Sequence, residues 1–229
     1  MNPNTRRYIA EFIGTFTLVF VGTTVATIQS VFGEHGGAAW LGISFAFGFT
    51  LLVLVLVIGP VSGCHLNPAV TIPMAMAGRL KMQLVPGYLV AQLLGGLAAA
   101  ALLRLLMGGL EAYDPAIHGV AANGNPRDMA IGGFFGFEIV LTALFLLTIF
   151  SVTRSDSPAG FAALAIGGYL LVAHLAGAPL GDASLNPARS FGPAVIQGGE
   201  ALGILWVFIV GPLIGGVLGL GLYKGIYKD

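Results

Sequence analysis

The sequence predicts an all-α membrane protein: six transmembrane helices plus two re-entrant half-helices, arranged as an inverted repeat. Three observations carry this expectation. Of 229 residues, 56% are hydrophobic and 9% are charged, with a mean hydropathy of +0.91. A soluble domain carries roughly 25% charged residues, so an exterior this apolar must face lipid. Six apolar segments approach the length of a bilayer crossing, about 20 residues. Finally, one short motif occurs twice, at the same place in each half of the chain.

The first predicted span covers 8–29 and follows Arg6 and Arg7. It is too long for the apolar core of a cleavable signal and has no small-residue cleavage site, so it reads as a spanning helix. The second span covers 40–59, the third 84–107, the fourth 131–152, the fifth 160–175 and the sixth 202–223. Cationic residues orient them. With both termini in the cytoplasm, Arg6, Arg7, Arg79, Lys81, Arg154, Lys224 and Lys228 lie inside. Arg104 and Arg127 then fall at or beyond the outer surface, beside Glu111, Asp114 and Asp128. Gly95 and Gly96 in the third span, and Gly211, Gly215 and Gly219 in the sixth, read as faces where helix backbones approach closely.

The repeated motif stands in Ser62-Gly63-Cys64-His65-Leu66-Asn67-Pro68-Ala69-Val70 and again in Ala183-Ser184-Leu185-Asn186-Pro187-Ala188-Arg189-Ser190. Both copies follow the second span of their half and precede the third. Each half also opens with a glutamate early in its first span, Glu11 and Glu138. Three spans per half is an odd number, so the halves, approximately 1–110 and 128–229, run in opposite senses across the bilayer. Such inverted repeats build sites at the membrane midplane.

Asparagine is a good N-cap and proline suits the first helical position. The apolar residues after each Asn-Pro-Ala are too few to cross a bilayer, so each loop dips in and becomes a half-helix that begins near the midplane. Irregular backbone is tolerated there only where it lines a cavity or is buried in protein. Two half-helix N-termini entering from opposite faces must meet, each bearing roughly half a positive charge. Their meeting point repels cations, and the asparagine amides can donate to whatever passes.

The doubled motif, in His-Leu-Asn-Pro-Ala-Val and Leu-Asn-Pro-Ala-Arg-Ser-Phe-Gly-Pro, closely resembles the aquaporin family, or major intrinsic proteins. The resemblance covers essentially the whole chain, including both glutamates and all six spans. It implies one channel domain over 1–229 that conducts water passively while excluding ions and protons. The alternative it leaves is a facilitator of small neutral solutes such as glycerol, ammonia or carbon dioxide. Asn67, Pro68, Ala69, Asn186, Pro187 and Ala188 match the family's pore motifs. Phe47, His174, Ala183 and Arg189 match its selectivity filter, Arg189 being the filter arginine. Glu11 and Glu138 match the carboxylates that hold the dipping loops. His174, Ser190 and Ala194 all side with the water-selective branch; the glycerol branch usually has a small residue, an aspartate and a basic residue there. Ile209 departs from the tryptophan often found on the last span, and Ala183 is smaller than the usual threonine or cysteine. Pro73 and Pro193 each remove one hydrogen bond inside a half-helix. The resemblance further implies a homotetramer with one pore per subunit, surrounded by membrane lipid in the cell membrane.

Cys64 and His65 are expected at the inner vestibule, His65 bracing its loop and Cys64 within reach of mercurials. His35 and His118 fall in outer loops, and the 153–158 loop is too short to promise a gate. One cysteine allows no internal disulfide or multi-thiolate metal site, and no metal or cofactor is expected. Zero formal net charge gives no argument for nucleic acid. No nucleophile–base pairing, phosphate loop or cofactor fingerprint points to an enzyme.

Overall fold

The computed structural model describes residues 1–33, 36–124, 130–158, 160–180 and 183–227, with the side chain of residue 178 left aside. His35, Arg127, Asp128 and Lys228 lie outside the described residues. The described chain is helical, without a strand among the described residues. Helix α1 (Pro3–Val31) starts before the predicted span, because Asn2 caps it: the Asn2 side chain accepts from the Asn4 N–H at 2.9 Å, with Pro3 opening the first turn. Helix α2 (Gly37–Ser62) runs through Pro60 and stops at Gly63, whose φ of 91° is left-handed. The first half-helix, α3 (Pro68–Met76), begins directly after Asn67, as the motif requires. A 3₁₀ turn, Met82–Leu84, then leads into α4 (Val85–Met107).

The second half opens after the short helix α5 (Pro115–His118). Helices α6 (Ile131–Val152) and α7 (Ala162–Gly177) are followed by the second half-helix, α8 (Pro187–Gln197), and by α9 (Glu200–Ile226). Helix α7 starts later than the apolar pattern suggests, since Gly160 sits at φ +86° in the preceding turn. Among the described residues, five helices are long and apolar enough to cross a membrane. The fifth predicted span is α7, which at 16 residues is about 24 Å long. The 3₁₀ turn Ala178–Leu180 adds about 6 Å and brings it to bilayer thickness. Pro73 and Pro193 lie inside α3 and α8 without ending either.

The polarity runs opposite to that of a soluble fold. Phe49, Val57, Leu105, Trp206 and Leu218 are exposed on the outside, whereas Glu11, Gln92, Glu138 and Arg189 are at most 1% exposed. Apolar flanks suit lipid, and buried polar groups at this depth must find partners inside. Close backbone approach holds the halves together. A Cβ at Gly96 would collide with the Ala188 carbonyl, and one at Gly216 with the Ala69 carbonyl. The last span of each half therefore grips the half-helix of the other. Gly215 and Gly219 face the Ile139 and Ala143 carbonyls of α6, so the glycines of the sixth span do form a packing face.

Candidate functional site

The two loops meet at the centre and brace each other. Asn67 is extended at φ −158°, and its Oδ1 accepts from the Ala69 N–H at 2.8 Å. Its Nδ2 donates to the Leu185 carbonyl of the opposite loop at 2.7 Å. Asn186 mirrors this: Oδ1 accepts from the Ala188 and Arg189 N–H groups, and Nδ2 donates to the Leu66 carbonyl at 2.9 Å. A side-chain amide has two donor hydrogens. One on each asparagine ties the loops together, which leaves the second for a molecule in the pore.

Both glutamates sit beneath these loops. Glu11 Oε1 accepts from Ser62 Oγ at 2.7 Å and the His65 N–H at 2.9 Å. Its Oε2 accepts from the Leu66 N–H and from Gln92 Nε2, both at 2.7 Å. Glu138 accepts from the Ser184 N–H at 2.7 Å and the Leu185 N–H at 3.0 Å. A carboxylate offers about four acceptor positions, and Glu11 fills that number. These bonds hold backbone amides at membrane depth, where an unsatisfied N–H is costly. They also stabilise Leu66 and Leu185 in left-handed conformations, φ 53° and 57°, that bulky side chains avoid.

Toward the Asn186 side, Phe47 and His174 stack with ring centroids 4.5 Å apart, and the Arg189 guanidinium lies 5.1 Å from the Phe47 centroid. Phe47 fits because position 22 is glycine; a Cβ there would strike its ring. His174 Nδ1 lies 2.9 Å from the Leu170 carbonyl, so in the neutral ring Nδ1 donates and Nε2 is the acceptor nitrogen. Arg189 Nη1 donates to Asn123 Oδ1 at 2.6 Å and to the Ala121 carbonyl at 3.2 Å. Phe47, His174, Arg189, Ser184 and both asparagines border a cavity with about 20 Å³ open to water. A single water needs roughly 10–15 Å³ by the same measure, so this cavity has room for one or two waters. Ala183, expected as the fourth filter position, is fully buried with its methyl against Gly177, and its neighbour Ser184 borders the cavity.

On the other side, His65 borders both this cavity and a second one of about 80 Å³ that Cys64 and Thr153 also line. His65 Nδ1 lies 3.2 Å from Thr71 Oγ1, and Gln92 Nε2 donates to that same oxygen at 2.8 Å. The ring also tilts against Tyr88, whose hydroxyl donates to the Ser62 carbonyl. Among the described residues, no group of His, Cys, Asp or Glu could hold a metal ion.

Sequence reasoning missed Gln92, Thr71, Ser184, Gly22 and Asn123. Gln92 did carry a signal, as a polar amide in the middle of an apolar span. Thr71 and Ser190 share an offset of four residues from their asparagines, which a comparison of the two motifs exposes. Asn123, in a loop far from either motif, carried none.

The family pattern described as Major intrinsic protein matches residues 2–223. Aquaporin Z of Rhodopseudomonas palustris is 45% identical, over 96% of this chain and 93% of that protein. Aquaporin Z of Bradyrhizobium diazoefficiens is 41% identical (98% and 94% covered), and that of Photorhabdus laumondii 40% identical (98% of each). Among solved structures, the aquaglyceroporin from Plasmodium falciparum superposes with a TM-score of 0.83 at 26% identity, covering 97% of this chain and 96% of that one. With the doubled loops, paired glutamates and apolar spans described above, this chain is an integral membrane protein that belongs to the major intrinsic protein family.

Proposed function

We propose that this protein is a passive water channel of the cell membrane that excludes ions and protons. The observation that carries this reading is the water-sized cavity bordered by Phe47, His174 and Arg189 and by both asparagines. A passage this narrow favours water over glycerol, and a buried guanidinium opposes cations. A water at the centre meets amide donors from both loops. Its oxygen accepts from them, its hydrogens point outward, and the hydrogen-bonded wire that protons need is interrupted. Measurable proton current through the purified protein contradicts that part of the mechanism.

The whole chain, 1–229, acts as one channel domain of two inverted halves, about 1–110 and 128–229. Both termini face the cytoplasm. Arg79 and Arg154 support this, because they meet Tyr223 and Tyr227 at one end of the bundle, as cytoplasmic cations should. Family resemblance supports a homotetramer with one pore per subunit and no enzymatic activity. The test is osmotic shrinkage of vesicles containing the purified protein, with glycerol uptake measured in parallel. Fast water flow with a low activation energy and little glycerol entry is expected. Rapid glycerol entry instead supports a small-solute facilitator.

A further inference from the structure

Arg189 is fixed by a residue outside both pore motifs. Asn123 lies between α5 and α6, 66 residues from the arginine, and is 2% exposed. Its Oδ1 accepts from Arg189 Nη1 and from Ser190 Oγ, each at 2.6 Å. Ser190 Oγ in turn lies against Ser184 Oγ, which accepts from the Asn186 N–H and donates to the Asn186 carbonyl. One amide oxygen thus touches both the filter cation and the serine pair that braces the Asn186 loop.

The loop carrying Asn123 is itself anchored. Tyr113 donates its hydroxyl to the Gly119 carbonyl at 2.6 Å, and the Val120 N–H donates to Gln197 Oε1 on α8 at 3.2 Å. Val120 is fully buried in an apolar cluster with Leu103 and Met107. Ala121, whose carbonyl also accepts from Arg189, is held at φ 53°. These two acceptors on Arg189 Nη1, an amide oxygen and a backbone carbonyl, carry no net charge and orient the guanidinium.

We propose that Asn123 is the positioning residue of the filter: by fixing Arg189 it determines which solutes the pore rejects. This rests on the water-channel reading above. The test compares water and urea permeability of proteoliposomes carrying the parent, Asn123→Ala, Asn123→Asp, Arg189→Ala and the double variant Asn123→Ala/Arg189→Ala. Asn123→Ala is expected to lower the water-to-urea ratio about tenfold, the factor that loss of one hydrogen bond to a charged group implies. Asn123→Asp keeps both acceptor functions but places a negative charge on the guanidinium, so it is expected to hold the ratio of the two neutral solutes close to that of the parent while raising cation entry. In the Arg189→Ala background the effect of Asn123→Ala should vanish, which a general loosening of the fold does not produce. An unchanged ratio in folded Asn123→Ala, or a full effect in the double variant, overturns the proposal. Should Asn123→Ala not fold, Asn123→Gln shifts the same oxygen by one methylene and is expected to show the same loss; parental selectivity there overturns the proposal equally. A parent that passes no water defeats the channel reading instead.

Discussion

The two dipping loops share a backbone plan and differ in what braces them. In the first half, every donor to Glu11 comes from within that half: Ser62 at the end of α2, two loop amides, and Gln92 on α4. The second half has no equivalent of Gln92. With Gly95 and Gly96 aligned to Gly215 and Gly216, position 92 corresponds to Pro212 and Tyr88 to Phe208. Ser184 and Ser190 stand where His65 and Thr71 do, and they are tied outward to Asn123. Above all, Arg189 occupies the position that Val70 fills in the first half-helix. The symmetric parts, Asn, Pro, Ala, Glu and close-packed Gly, therefore build the scaffold. The asymmetric parts give the two ends of the cavity different chemistry, His65 at one and Arg189 with His174 at the other.

The sharpest break in this comparison is Glu11→Gln. The new NH₂ group faces donors, leaving up to two buried ones unsatisfied at about 1–3 kcal/mol each. Loss of folded protein, or a large drop in melting temperature in detergent, is the expected result. Correct folding with altered ion coupling would point instead to a proton-relay role. Next in size is Gln92→Leu, which removes one donor from Glu11 and one from Thr71. It should cost about 1–3 kcal/mol of stability and leave the water-to-urea ratio unchanged, because Gln92 braces the Asn67 loop and does not border the cavity of Phe47, His174 and Arg189. A changed ratio breaks the division between the halves.

Mercurial treatment sharpens the same division from the inner side. Cys64 lines the inner cavity beside His65, so modification should slow water flow, and Cys64→Ser should abolish the block. Undiminished flow in the treated parent removes Cys64 from the conducting path. The smallest effect belongs to Asp156, outside the membrane, whose carboxyl lies below the usual range because Arg154 hydrogen-bonds it. A depressed carboxyl stabilises the fold above its unfolded pKa, and that contribution disappears as pH falls through the lower, folded value. Both groups are solvated, and such pairs contribute little. Asp156→Asn should leave the melting temperature at neutral pH unchanged; a clear drop would give this loop a structural role.

The scaffold was legible in the sequence because it is local or repeated. Asn-Pro at a helix start, a glutamate early in each half and runs of apolar residues specify their structures over a few residues each. The site was legible where motif and chemistry coincide, as at Asn67, Asn186 and Arg189. It was not legible where a partner is chosen by tertiary topology. Gln92 reaches Glu11 across 81 residues and Asn123 reaches Arg189 across 66, and no periodicity encodes either pairing.

The central claim is that one asymmetric residue on a symmetric scaffold determines selectivity. Its most direct test is Arg189→Val, which gives the second half-helix the residue that the first already has at Val70. Water, urea and monovalent-cation permeability would be measured in proteoliposomes with matched amounts of folded protein. Retained water flow, with urea and cation entry raised roughly tenfold or more, is the expected result. Parental rejection of both solutes by the folded variant would contradict the account and assign selectivity to the shared scaffold.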